Sequence, residues 1–377
     1  MRHHPVGPVL ATAALAVAAT ACSGAAPTPQ AEPPSYDDTG VAARALPQLA
    51  ATGEDTLAAE DAAWVVEAVV EGAREGAAVR LVALVDGQWT QVDDDETDEN
   101  GQAALTTTAT GDLHVISGTG ADAIGTVVAT EDAPAATFTD DFDDTEIDTP
   151  DAVWQTRFQA YGGVRKCSLP APEAAEVTDG VLRVSVLDDP DRKACPYKQG
   201  RFDYRLNGHV GTQGRHAFTY GYTAARLRFP SARGQHGAFW LQPEAGQQPG
   251  GPEEGGAEID VIEYFGDGHP QGGLTSFTYW LDDKGRQQTK GGWIDDPEQY
   301  GEGWAEQFHV FSVEWTPEEY VFRIDGEITH RLAGPTSGQP EFLILSLLSS
   351  DYELKQLDED LPQHMDVDWV RVWETPR

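Results

Sequence analysis

Short strand-like runs separated by turn signals occupy most of this chain, and after residue 135 no long amphipathic helix interrupts them. The runs at 180–186, 216–229, 237–241, 258–264, 274–280, 309–315, 319–324, 342–348 and 367–373 read as β-strands. So many strands of similar length predict an all-β unit over 135–377, one large antiparallel β-sandwich of the jelly-roll kind. Eight of the ten tryptophans fall in this part, since only Trp64 and Trp89 precede it.

A second, smaller unit is expected over 55–134. Runs at 62–70, 78–84, 89–92, 103–108 and 113–116 are separated by Asp86-Gly87, Asn100-Gly101 and Thr110-Gly111-Asp112. The spacing suits a small Ig-like β-sandwich. Residues 60–74 also carry apolar residues at helical spacing, so a helix stays open there. This stretch has no clustered aromatic residues of the kind that build a sugar-binding platform, and a spacer or stalk is the expected role.

The N-terminus reads as an export segment. Arg2, His3 and His4 precede an apolar, small-residue run of about fifteen residues from Val6 to Thr20, short for a membrane span. Ala19-Thr20-Ala21-Cys22 looks like a bacterial lipoprotein cleavage box, with Ala where Leu is usual. Residues 1–21 are therefore expected to be a signal peptide, with a lipid on Cys22 as the membrane partner. Residues 22–54, rich in Pro, Ala and Ser at their start, are expected to be a flexible tether. The expected location is the cell surface or the extracellular space. Two cysteines remain, Cys167 and Cys195. In an oxidising compartment they are expected to pair, closing a loop of about thirty residues for roughly 3–4 kcal/mol on the chain-entropy model.

Charge narrows the partners. The 377 residues hold 25 basic and 63 acidic side chains, a formal net charge of −38. Such a surface repels nucleic acid and sulfated or uronic-acid polymers, and is compatible with an uncharged substrate. No phosphate loop and no Gly-x-Ser-x-Gly elbow appears, the ten histidines form no metal pattern, and His309 is expected to be structural. A monomer is expected.

The chemistry concentrates in Gly255-Gly256-Ala257-Glu258-Ile259-Asp260-Val261-Ile262-Glu263-Tyr264. Side chains of a strand alternate between faces, so Glu258 and Asp260 share one face while Ile259 and Val261 turn to the other. One β-bulge at Val261-Ile262 returns Glu263 to the acidic face. Paired carboxylates about 5–5.5 Å apart serve retaining glycoside hydrolysis, one as nucleophile and one as general acid. Close acids also push one another's pKa values apart.

This stretch resembles the active-site strand of glycoside hydrolase family 16, the laminarinase-like group. Stretches in the same order resemble that family's opening strand (Phe138–Asp143), its sheet leading to the cleft (Gly211-Thr212-Gln213 to Ala225-Arg226) and its Trp-bearing strand (Gly237–Pro243). A late hairpin (Phe308–Trp315, Asp325-Gly326) and a closing strand (Met365–Trp373) follow. The resemblance covers about 135–377. It implies a β-jelly-roll with a long cleft that cuts neutral β-linked polysaccharide internally, β-1,3- or β-1,3-1,4-glucan above all, by double displacement and without a cofactor for catalysis. Glu258 would be the nucleophile, Asp260 its helper and Glu263 the acid/base. Trp240 would stack on a sugar near the scissile bond, with Gln213, Tyr279 and Trp280 as further substrate contacts. Some members hold a structural calcium, to which Asp141 and Asp368 would correspond. His236-Gly237 stands where the family commonly has Trp-Pro, and Tyr279-Trp280 where many members have His before Trp. Three rival readings remain: a transglycosylase using the same acids, an agarase- or galactanase-like hydrolase, and a non-catalytic glycan-binding lipoprotein.

Overall fold

The computed structural model describes residues 31–158, 167–197, 200–349 and 361–375. The export segment and Cys22 lie outside these residues.

The larger body is a sandwich of two antiparallel sheets. In the back sheet, Glu327–Ala333, Glu319–Ile324, His309–Trp315, Gly221–Arg228 and Gln363–Glu374 lie side by side. Gln363–Glu374 also pairs with Val181–Asp188 and Phe138–Asp140. In the other sheet, Gln287–Trp293, Leu274–Leu281, Glu258–Tyr264, Gln235–Pro243 and Glu341–Ser349 run in order, followed by the second half of Arg205–Gly211 and by Gln155–Thr156. Phe239, Leu241, Ile259, Leu343 and Leu345 from this sheet meet Leu227, Phe311, Val313, Phe322 and Val367 from the back sheet in one buried core. Each such side chain contributes about 1.5–3 kcal/mol on burial. The alternation that turns these residues inward turns their sequence neighbours outward, onto an open face.

Cys167 and Cys195 are joined in a disulfide, with Cα atoms 5.7 Å apart, packed beside Phe202 and Tyr204.

The N-terminal unit also consists of two sheets. Val41–Ala50, Ala63–Val70 and Gln102–Thr107 form one; Gln88–Glu96, Ala78–Val85, Asp112–Ser117 and Ile124–Ala129 form the other. Val66, Ala68 and Leu105 face Leu81, Leu113 and Val115 between them. Two expectations are corrected. The tether was expected to reach residue 54, but Val41–Ala50 pairs along its length with Ala63–Val70, which is itself a strand and not a helix. Nor is the unit a free stalk. Leu46, Leu49, Ala59 and Val65 pack against Ala224, Val310, Trp369 and Trp373 on the outside of the back sheet. Above that apolar contact, Arg44 binds Glu314 through two hydrogen bonds of 2.6 and 2.8 Å and Glu67 through one of 2.6 Å, while Arg323 bridges the two carboxylates from beneath. Arg323 and both carboxylates are buried. Pairing of this kind offsets the cost of taking charges out of water.

Candidate active site

The Glu258–Tyr264 strand is bulged as its sequence requires. Against Gln235–Pro243, Phe239 opposes Ile262 and Trp240 opposes Asp260, so Val261 has no partner of its own. On the other side, Asp260 opposes Phe277 and Glu263 opposes Thr275, and the Ser276 hydroxyl closes the gap by donating to the Val261 carbonyl at 2.8 Å. Val261 and Ile262 consequently both enter the core. Glu258, Asp260 and Glu263 line a single depression on the open face, together with His236, Ala238, Trp240, Ser346 and Leu348. A tight turn delivers the strand. Gly256 has φ +75°, and a Cβ there would meet Pro243 at 2.6 Å, so glycine is required on both counts.

Each of the two glutamates has an orienting partner on a neighbouring strand. Gln242 donates to Glu258 Oε2 at 2.7 Å. Thr275 donates to Glu263 Oε2 at 2.9 Å, and His236 Nε2 lies 2.6 Å from Glu263 Oε1. The imidazole is buried and stacks on Phe265 at 4.4 Å between centroids. Asp260, between the two glutamates, is 4% exposed. Burial, then the charges of Asp260, Glu263 and Glu258, hold the Tyr279 hydroxyl well above the ordinary tyrosine range, which places Tyr279 within the field of all three acids.

The remaining sequence candidates divide. Trp240 lines the acidic depression, but only 7% of it is exposed. Its indole N–H donates to Ser346, and His209 and Arg157 lie over its ring. It forms part of the floor with Ala238, Phe342 and Ile344. Tyr279 opposes Glu258 across the strands and shares its face. Trp280 does not join them. The next residue along a strand points the other way, and Trp280 packs against the main core. Gln213 sits beside a hollow with Gln155, Arg157 and Phe158, its amide donating to the Glu244 carbonyl at 3.3 Å.

Of the two residues set against a structural calcium, Asp368 is already engaged by the protein itself. Asp368 Oδ2 accepts from the buried Arg226 guanidinium at 2.5 Å and from the Leu57 N–H at 3.0 Å. A cation there would meet that guanidinium at close range. Among the described residues, no group of three or more His, Cys, Asp or Glu is arranged to hold a metal ion.

Four contacts escaped the reading of the sequence: His236, Gln242, Thr275 and Phe277. Alternation from Trp240 marks His236 and Gln242 as residues of the open face, and alternation from Tyr279 marks Phe277 and Thr275. Strand neighbours in space, which sequence does not list, decide what they touch.

Residues 191–371, which contain this strand and its neighbours, match the family model for glycosyl hydrolases family 16. Over this segment the chain is similar to that family. The chain is 26% identical over 214 residues to glucan endo-1,3-beta-glucosidase A1 of Niallia circulans, a match covering 52% of this chain and 30% of that protein. It is 29% identical over 173 residues to a beta-glucanase of Rhodothermus marinus, covering 45% and 54%. The chain spans under two thirds of either relative's length. A structure of LamA from Z. galactanivorans, a variant in complex with laminaritriose and laminaritetraose, superposes with a TM-score of 0.50 at 19% identity over 64% of this chain and 99% of that one. That likeness carries the fold of the domain.

Proposed function

We propose that this protein is a retaining endo-glycoside hydrolase of neutral β-glucan, cutting β-1,3 or mixed β-1,3-1,4 linkages. One observation carries the reading: Glu258, Asp260 and Glu263 converge on one depression of the open face, each glutamate held by its own polar partners. In the first step Glu258 attacks the anomeric carbon, and Glu263 gives its proton to the departing glycosidic oxygen. This leaves a glycosyl ester on Glu258 and a carboxylate at Glu263. In the second step Glu263 takes a proton from water, whose oxygen attacks the anomeric carbon and frees Glu258. Asp260, beside the nucleophile, has the helper role. The names of the matched relatives support glucan as the substrate class, and the net charge of −38 supports an uncharged polymer.

The leader supports export, with Cys22 as the lipid-bearing residue after removal of 1–21, and a monomer held at the membrane by that lipid. Mass spectrometry of the membrane fraction, with a Cys22→Ala variant beside it, tests the anchor: loss of the acyl mass and release from the membrane are expected.

The experiment for the activity is reducing-sugar release from laminarin, lichenan, agarose, xyloglucan and a β-galactan. Oligosaccharides are expected from laminarin or lichenan, and none from the Glu258→Gln variant. Cleavage of agarose or galactan alone would replace the substrate. Binding without cleavage, or transfer of the glycosyl unit to a sugar instead of water, would replace the reaction.

A further inference from the structure

The turn that delivers the acidic strand is anchored by a buried carboxyl. Glu341 opens the strand Glu341–Ser349, opposite Pro243, and has no exposed surface. Its Oε1 accepts from the Ala257 N–H at 3.3 Å, one residue before Glu258. The Ser337 hydroxyl donates to the same oxygen. Ser337 is in turn tied to the back sheet. Its N–H donates to the Tyr320 hydroxyl at 2.7 Å, and its carbonyl accepts from the Trp315 indole at 3.0 Å. The segment that carries Ser337 lies directly on the turn before Glu258. A Cβ on Gly338 would meet the Glu253 carbonyl at 2.6 Å, and the Gln339 side-chain amide donates to that carbonyl at 3.0 Å. Contacts therefore run from Trp315 and Tyr320 through Ser337 and Glu341 to the residue before Glu258.

We infer that Glu341 is a positioning residue for Glu258, seating the Gly256-Ala257 backbone so that the nucleophile enters the depression from a fixed point. The inference rests on the glucanase reading above and adds a buried residue that acts through the nucleophile's backbone without touching substrate. The carboxyl does this in its neutral form. Among the described residues, its Oε2 has no hydrogen-bond partner. An ionised carboxylate so placed would lose its hydration with nothing to replace it. The surrounding elements supply no opposite charge. Ser337 and the neutral Tyr320 face it from one side, and Pro243 and Phe218 oppose it on the flanking strands. Glu244 and Glu253 stand on the adjoining turns, and Glu258 lies beyond Ala257. Burial, opposed by the Ser337 and Ala257 hydrogen bonds and reinforced by the charge of Glu258, pushes the Glu341 carboxyl up to about 8. Ionisation above that pH sets a second negative charge near the nucleophile and draws the buried oxygen toward water, which loosens the turn.

The test isolates the step that Glu258 performs. The substrate is a laminari-oligosaccharide carrying a dinitrophenolate leaving group, which needs no proton from Glu263. The Glu258 oxygen bonds to the anomeric carbon as the bond to the aryl oxygen breaks, and the phenolate leaves with the electron pair. Its absorbance gives the rate in a single turnover. In the parent protein this rate is expected to be flat from about pH 6 and to fall as pH rises through about 8. Glu341→Gln keeps an acceptor for the Ala257 N–H but cannot ionise, and is expected to hold its rate to about pH 9. Glu341→Leu, which removes the acceptor, is expected to slow the step about ten- to a hundredfold near neutral pH, with little change in the half-saturating substrate concentration. Melting temperatures show that each variant is folded, and should Glu341→Leu not fold, the pH profile of Glu341→Gln decides. A Glu341→Gln rate that falls at the parent's midpoint, or a folded Glu341→Leu protein with the parent's rate, would overturn the positioning role and leave the glucanase reading standing. If the parent releases no phenolate and carries no glycosyl ester on Glu258, the glucanase reading fails and the inference falls with it.

Discussion

His236 Nε2 lies 2.6 Å from Glu263 Oε1, reaching it from the strand beside the one that bears the acids. Thr275 holds the second oxygen from the opposite flank, so the carboxyl is fixed from both sides. An acid/base group works only when its proton points at the reacting oxygen, and small misplacements cost up to about 10²-fold in rate. His236→Ala is expected to lower kcat by about ten- to a hundredfold with little change in KM. His236→Gln, which restores a donor, should recover part of the loss. Steady-state kinetics on the polymer identified by the substrate panel reads both. An unchanged kcat in His236→Ala would remove the positioning role.

Glu341 sets a pH dependence of stability. Burial pushes its carboxyl up to about 8, against the lowering effect of hydrogen bonds from Ser337 and the Ala257 N–H. A folded-state value above the ordinary 4.5 means the native protein holds the proton more tightly than the unfolded chain. The associated stability is full below about 4.5, declines as pH rises and is gone above about 8. Glu341→Gln is expected to leave Tm near the parent value at pH 4.5 and to raise it at pH 9. Thermal unfolding of both proteins across that range checks the sign.

The contact between the two bodies should fail in acid. Burial alone would raise the Glu314 carboxyl, but the Arg44 hydrogen bonds and the charges of Arg323 and Arg44 bring it down to about 2. A depressed value gives stability that is present above the ordinary 4.5 and lost as pH falls through about 2. Protease sensitivity of the strand Val41–Ala50 is expected to rise over that window, and Arg44→Ala is expected to produce the same sensitivity at neutral pH.

Residues 51–57 close over a buried ion pair. Arg226 donates to the Ala51 and Asp55 carbonyls at 2.8 and 2.9 Å, and the Leu57 N–H donates to Asp368. A chain beginning at residue 135 would open this pair, together with Trp369 and Trp373, to solvent. It is expected to express as aggregated or markedly less stable protein, although the acids of the open face are untouched. Asp368→Ala in the full chain, which leaves the Arg226 charge buried without its partner, is expected to cost about 3–5 kcal/mol in chemical denaturation.

The layout of the acids was legible because it depends on one strand. Alternation places Glu258 and Asp260 together, and two successive apolar residues, Val261 and Ile262, can both be buried only if the strand bulges there, which returns Glu263 to its fellows. The division of the larger body into strands was legible for the same local reason, since an apolar residue at every second position needs no knowledge of its neighbour. Those same rules fail for anything that depends on which strands lie side by side. The resemblance implied Trp280 as a substrate contact, but the face it occupies packs against the core. Asp368 read as a cation ligand, but a guanidinium from a strand 142 residues away in sequence claims its carboxylate. The tether and stalk read as separate from the rest because flexible composition says nothing of docking, and only the apolar outer surface of the back sheet, with Trp369 and Trp373, decides where Leu46 and Leu49 are buried. The sequence by itself therefore determined the all-β character and the three carboxylates on one face, both properties of backbone periodicity. The tertiary structure decided their partners His236, Gln242 and Thr275, the packing of Trp280 against the core and the docking of the N-terminal unit, because each depends on contacts between residues far apart in the chain.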